Sequence, residues 1–262
     1  MFPADCRLCN APLHNISRLP VCEECLARMR PMSGPSCAVC GERVFREAFS
    51  GEDAAGELLC GACQQSRPGY ERALAYAAYD GGLRDLIHLL KYQRVHPAAN
   101  VLGRMLADTI AGLAIEAERV VVVPIPLHHG KQRQRGFNQA LEITRAAMKL
   151  LPEKFQLTPE RLLRIRDTQS QTGLTRYQRR ENVRGAFVAV DPEKLQGATV
   201  LLVDDVFTTG TTVSECAKVM KRAGAEKVYV ATVARVLKSD AAFAEPDVEE
   251  VEPTTKTMAA YA

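Results

Sequence analysis

Two sets of residues in this 262-residue sequence have the types and spacing to do chemistry. Eight of the nine cysteines fall into four Cys-x-x-Cys pairs: Cys6 and Cys9, Cys22 and Cys25, Cys37 and Cys40, Cys60 and Cys63. Such a pair supplies half of a tetrahedral Zn²⁺ site, so two pairs brought together complete one. Joining neighbours gives Cys6, Cys9, Cys22 and Cys25 for one structural zinc and Cys37, Cys40, Cys60 and Cys63 for a second. A crossed arrangement, or one zinc beside a degraded site, is the alternative. Cys216 stands alone and reads as a small core residue.

The second set is Asp204-Asp205 followed by Thr208, Thr209, Gly210, Thr211 and Thr212. Ahead of it, Val200 to Val203 form a short apolar run suited to a parallel strand covered on both faces. The acids then emerge at the strand's carboxyl end, where open α/β sheets bind ligands. The threonine hydroxyls, the backbone N–H groups and the positive end of a helix from Val213 to Ala223 together make a phosphate site. The acid pair suits ribose hydroxyls or a hydrated Mg²⁺.

Other segments must position these groups. Ala73 to Tyr79 read as a first strand, and Leu83, Leu86, Ile87 and Leu90 repeat at helical spacing, which puts Arg84, His88 and Lys91 on a solvated basic face. Val101 to Ala117 continue as an apolar helix, and Val120 to Val123 form a second buried strand. It ends in a basic, glycine-containing loop from Leu127 to Ala140, with Lys131, Arg133 and Arg135 placed to meet an anion. Because this loop and the threonine loop leave the same sheet edge, they hold the two ends of one diphosphorylated ligand. Phe137 to Leu151 form a helix, and Leu162 to Arg166 and Ala186 to Val190 form strands. Between those strands, residues 167–184 carry Arg176, Tyr177, Arg179 and Arg180 without a regular pattern. The segment reads as a mobile lid over the phosphate site, and also as a patch for single-stranded DNA. Lys227 to Val236 are the last strand.

Composition sets the frame. Apolar residues make up 47% of the chain and the formal net charge is +3, so there is material for a core and no overall polyanion-binding charge. No run approaches the roughly 20 apolar residues of a membrane helix, which argues against membrane insertion. Met1 to Cys6 lack the basic head and apolar stretch of a signal peptide, so a reducing, cytoplasmic setting is expected, and there paired cysteines bind metal. Three parts follow: a zinc-binding module at 1–68 with little apolar periodicity, an α/β domain at 69–238, and an acidic disordered tail at 239–262 containing Asp247-Val-Glu-Glu-Val-Glu252.

At Val200 to Thr212 the chain resembles the phosphoribosyltransferases, whose signature for phosphoribosyl pyrophosphate (PRPP) is four apolar residues, two acids and a Thr-Gly-Thr loop. The resemblance implies that Asp204 and Asp205 are the catalytic-site acids that hold the ribose hydroxyls, with Thr208 to Thr212 around the 5′-phosphate. It also implies that Mg²⁺ accompanies PRPP and that the loop bearing Lys131, Arg133, Arg135 and Asn138 contacts pyrophosphate. One position departs: the purine-salvage branch has an aspartate general base where this chain has Thr208, and a hydroxyl does not serve as a base at neutral pH.

The order of motifs narrows the resemblance. Paired cysteines, Leu86-Ile-His-Leu-Leu-Lys-Tyr92, Arg135-Gly-Phe-Asn-Gln139, Gln171-Thr-Gly-Leu174 with Arg180 and Asn182, then Val200 to Thr212, look like the ComF family of competence proteins over nearly the whole chain. This implies a zinc-ribbon module with two four-cysteine sites, fused to a type I phosphoribosyltransferase-like α/β domain, a parallel sheet with flanking helices. The implied role is DNA uptake and natural transformation in bacteria, alongside the uptake helicase and the protein that loads recombinase on incoming single strands. Three functions follow: a PRPP-binding transferase, a non-catalytic adaptor for single-stranded DNA or protein, and a nucleobase salvage enzyme.

Overall fold

The computed structural model describes residues 5–14, 17–44, 56–168 and 175–237. Residues 169–174 of the expected lid and the acidic tail from 239 lie outside the described residues.

The cysteine-rich segment contains little regular structure. Its helices α1 (Glu23–Ala27) and α2 (Gly61–Gln65) have five residues each, too short to persist alone in water. The other recurring feature is a knuckle made twice. Asp5 bridges Pro12 around Cys6 and Cys9, and Ser36 bridges Arg43 around Cys37 and Cys40. Matching backbone bonds close both turns: Cys6 N–H donates to Ala11 O and Cys37 N–H to Glu42 O, at 2.8 and 2.7 Å.

Beyond residue 70 the chain supplies five parallel strands: β1 (Arg72–Ala78), β2 (Val120–Pro124), β3 (Phe155–Leu157), β6 (Thr199–Phe207) and β7 (Lys227–Arg235). They form one sheet in the order β1-β7-β6-β2-β3. β6 is central, paired in parallel with β2 and β7, so Val200 to Val203 are buried on both faces. Alternation along it divides the core: Leu201 and Val203 face α3 (Gly81–Lys91), α4 (Ala98–Gly112) and α6 (Gln139–Met148), while Val200 and Leu202 face α8 (Thr211–Arg222). The cysteine clusters are divided the same way. Cys6, Val21 and Met29 join the first face, and Cys37, Cys40, Cys60 and Cys63 the second. On α3, Leu86, Ile87 and Leu90 are fully buried, each worth about 1.5–3 kcal/mol of apolar transfer.

Several segments differ from the sequence reading. The short edge strand β3 has no counterpart in it, because three residues give no period to detect. Leu162 to Arg166 and Ala186 to Val190 do not enter the main sheet; β4 (Leu162–Arg164) and β5 (Phe187–Ala189) form a separate antiparallel pair. The basic loop contains a short helix, α5 (His129–Arg135), whose N-cap His128 accepts from Gly130 N–H. The segment read as irregular holds α7 (Arg176–Val183), started by a reciprocal capping box between Thr175 and Gln178.

Candidate phosphate loop, acid pair and zinc centres

The strand β6 does not stop at Val203. It continues through both acids to Phe207, so Asp204 and Asp205 sit inside its last turns of pleat rather than on a loop. Asp205 is buried and paired with the ammonium of Lys91, itself mostly covered at the end of α3. This corrects the assignment of Lys91 to a solvated face. The signal was available, because Lys91 follows the fully buried Ile87 by four residues and so borders the apolar side.

The two acids therefore shift in opposite directions. Burial pushes the Asp204 carboxyl well above its usual range, and the charge of Asp205 adds to this. Burial works the same way on Asp205, but the Lys91 ammonium, with Arg135 beyond it, outweighs it and holds Asp205 below the usual carboxylate range. Asp204 Oδ1 accepts from the Asp205 N–H at 2.9 Å, fixing that carboxyl against the strand. A second cation escaped the sequence reading: Arg164 on β4, packed 5.4 Å from the Phe187 ring centroid and donating to Thr168, lies in the field of Asp204.

After Phe207 the chain turns through Thr208 and Thr209 into Gly210, which N-caps α8 at φ +72° and provides no side-chain cap. The first N–H groups of a twelve-residue helix thus point at the mouth of the site without a side-chain cap from this residue. Thr209 and Thr211 hydroxyls are 2.7 Å apart across the turn. A Cβ on Gly210 would lie 2.5 Å from the Phe207 ring. Gly210→Ala is expected to cost about 2–4 kcal/mol, from the left-handed backbone plus overpacking. Urea unfolding read by circular dichroism checks this; a change under about 1 kcal/mol would show that the ring moves freely.

Of the basic residues, Arg135 reaches the site. Its guanidinium lies 5.6 Å from the Tyr92 ring centroid, donates to Gln139 at 2.6 Å and contributes to the field on Asp205. Arg133 is exposed and Lys131 half-buried on α5. Asn138 is buried and occupied structurally: its Oδ1 caps α6 by accepting from Ala140 and Leu141 N–H, and its Nδ2 donates to Ile125 O at 3.0 Å. Arg179 and Arg180, with the backbone of Arg176 and Tyr177, lie on α7, which runs to a β5 connection held by Gly185 N–H to Glu215 of α8 at 2.9 Å.

The cysteines form two clusters by neighbouring pairs: Cys6, Cys9, Cys22, Cys25 and Cys37, Cys40, Cys60, Cys63, with all Sγ atoms of each cluster within 4.8 Å of one another. Measured separations include 3.9 Å for Cys6–Cys25, 3.7 Å for Cys9–Cys22 and 3.6 Å for Cys40–Cys60. Four thiolates about 2.3 Å from Zn²⁺ stand roughly 3.8 Å apart, so both clusters fit the metal, and the separations are far too long for disulfides.

The sequence model of the double zinc ribbon domain matches residues 1–64, and that of the phosphoribosyl transferase domain matches residues 162–253. The chain is 32% identical over 241 residues to the DNA utilization protein YhgH of Escherichia coli K12, covering 90% of this chain and 98% of that one. It is 29% identical over 244 residues to competence protein F of Haemophilus influenzae, covering 89% and 98%. The chain belongs to the ComF family of competence proteins. As a ComF-family member it joins a double zinc ribbon to a phosphoribosyltransferase-type parallel sheet, with the two cysteine clusters docked on opposite faces. Among the described residues, no helix is long and apolar enough to cross a membrane.

Proposed function

We propose that this ComF-family protein binds Mg²⁺-PRPP across the carboxyl ends of β2 and β6 and acts in the cytoplasm in DNA uptake and natural transformation. The observation that carries the reading is the pairing of an α8 N-terminus lacking a side-chain cap with two adjacent acids near the carboxyl end of β6, one of them buried against Lys91. The N–H groups of Thr208 to Thr212 would take the 5′-phosphate, and Asp204 and Asp205 the ribose hydroxyls. Arg135 and the rest of α5 would face the pyrophosphate. Asp205 would hold Mg²⁺ through its water shell, and the ion would neutralise the pyrophosphate. The names of the relatives, competence and DNA utilization, support the physiological role.

A second reading is favoured by Thr208, an exposed hydroxyl where a salvage transferase needs a carboxylate base. In it PRPP is a regulator and the chain is an adaptor whose α7 arginines and zinc ribbons bind single-stranded DNA or protein. The same residue disfavours nucleobase salvage. Calorimetric titration with PRPP and Mg²⁺, beside a single-stranded oligonucleotide at two salt concentrations, tests both readings. PRPP binding that vanishes in Asp204→Asn/Asp205→Asn supports the ligand site. Salt-sensitive oligonucleotide binding without PRPP binding supports the adaptor alone.

Asp204→Asn by itself should separate stability from binding. Its folded carboxyl titrates above the unfolded value, so its favourable contribution exists at low pH and is lost as pH rises through the folded value. At neutral pH the amide should therefore raise stability by about 1 kcal/mol, a Tm gain of about 2–4 °C, while PRPP binding is lost. A fall in Tm would refute the assignment of Asp204 as a carboxyl held at a cost.

A further inference from the structure

The second zinc cluster and the phosphate loop meet at one buried arginine. Arg235, at the end of β7, is almost wholly covered. One nitrogen, Nη1, donates to the carbonyl of Cys40 at 2.5 Å. The other, Nη2, donates to Glu42 at 2.8 Å and stands 3.9 Å from the Cys40 Sγ. The guanidinium carbon lies 4.4 Å from the centre of the Phe207 ring, and Val236 N–H donates to Phe207 O at 3.0 Å. That ring is the surface on which Gly210 rests, with its nearest carbon 2.5 Å from where a Cβ would be. A continuous set of contacts thus runs from a metal ligand through Arg235 and Phe207 to the cap of α8.

We infer that Arg235 is a positioning residue that couples metal occupancy of Cys37, Cys40, Cys60 and Cys63 to anion binding at Thr208–Thr212, so each ligand tightens the other. The physical reason lies in charge and geometry. A Zn²⁺ held by four thiolates carries a net negative charge, which a guanidinium beside one of the sulfurs offsets. The metal also fixes the turn whose Cys40 carbonyl Arg235 grips. Without metal the turn is free to relax, and the arginine loses an anchor in a place where unpaired charge is costly. The Phe207 ring then no longer has a fixed partner under Gly210. Reciprocity requires that an anion ordering Gly210 and α8 should hold the zinc more tightly. The first cluster has a different docking site: Met29 and Leu8 approach Gly82 at the start of α3.

The inference rests on the phosphate-loop reading for its ligand, and two measurements keep the two separable. Zinc transfer to a competing chelator is followed site by site, by mass spectrometry of alkylated cysteines, with and without Mg²⁺-PRPP. PRPP should slow release from the second cluster on the order of ten-fold and leave the first unchanged. Arg235→Lys and Phe207→Leu should each remove that protection. Phe207→Leu keeps the Arg235–Glu42 pair and so guards against a merely misfolded arginine variant. Amide exchange of residues 208–213 is measured in parallel on protein whose second cluster has lost its metal, and it should rise. If the wild type does not bind PRPP, the ligand reading falls and amide exchange alone decides the coupling. Exchange that is indifferent to metal at the second cluster, or PRPP protection that survives both substitutions, overturns it.

Discussion

Removal of zinc is expected to unfold the segments 5–44 and 56–66 while the β1-β7-β6-β2-β3 sheet stays folded. The argument is one of supply. Among the described residues of those segments the only helices are two of five residues, and many of the buried side chains are the cysteines themselves. Once Zn²⁺ is gone, each cluster places four sulfurs within 4.8 Å with no metal to share their charge. At the second cluster the Cys37 thiol is held well below its usual range by the Cys40 and Cys63 thiols that bond to it, while Cys40 is pushed up to about 12. One thiolate shared among thiols is a poor substitute for a cation. Structural zinc contributes about 10–16 kcal/mol in small zinc modules. The sheet keeps its own core, with Val200 to Val203, Val228 and Val230 fully covered. Chelator treatment followed by amide exchange should show rapid exchange in both cysteine segments and sustained protection in β6 and β7. Protection retained at Cys6–Cys25 and Cys37–Cys63 without metal would mean that apolar docking on the sheet suffices.

Lys91→Met should destabilise the protein by about 3–5 kcal/mol, because it strands the buried Asp205 carboxylate. Adding Asp205→Asn to it should return much of that loss, since a neutral amide does not need the ammonium. Chemical denaturation of the two single variants and the double variant gives the coupling directly. A double variant no more stable than Lys91→Met would show that the pair is not the source of the cost. The sign of the pH dependence follows from the same pair. Asp205 titrates below its unfolded value, so its contribution is fully present above the ordinary aspartate range. It disappears as pH falls through the lower folded value. Asp204 shifts in the opposite sense, so acid weakens the Lys91 pair while relieving Asp204. Lys91→Met should flatten the acid limb of the stability curve.

Much of this was legible in the residues. Periods and turn chemistry are local, so the α3 stripe from Leu83 to Leu90, the buried run before Asp204 and the helix after Gly210 could be read without contacts. The cysteine pairs were legible because a metal needs four donors and the chain groups them by neighbours. The elements that were missed share a reason. β3 has three residues, and the seven-residue α5 contains no apolar side chain to mark a helical period. Which sheet a short strand joins depends on its partners, and these are distant in sequence.

The sequence by itself determined the eight candidate zinc ligands, the apolar strand that carries two acids, and the small-residue loop that follows; their grouping into two clusters came from the fold. Only the tertiary structure decided which acid is paired with a cation, because that depends on Lys91, far earlier in the chain, and on Arg135 from a different helix. It alone also decided that Arg235 should lie between Cys40 and the Phe207 ring beneath Gly210. Charge state and burial are sums over neighbours in space, and in a parallel sheet those neighbours arrive from strands and crossover helices scattered along the chain.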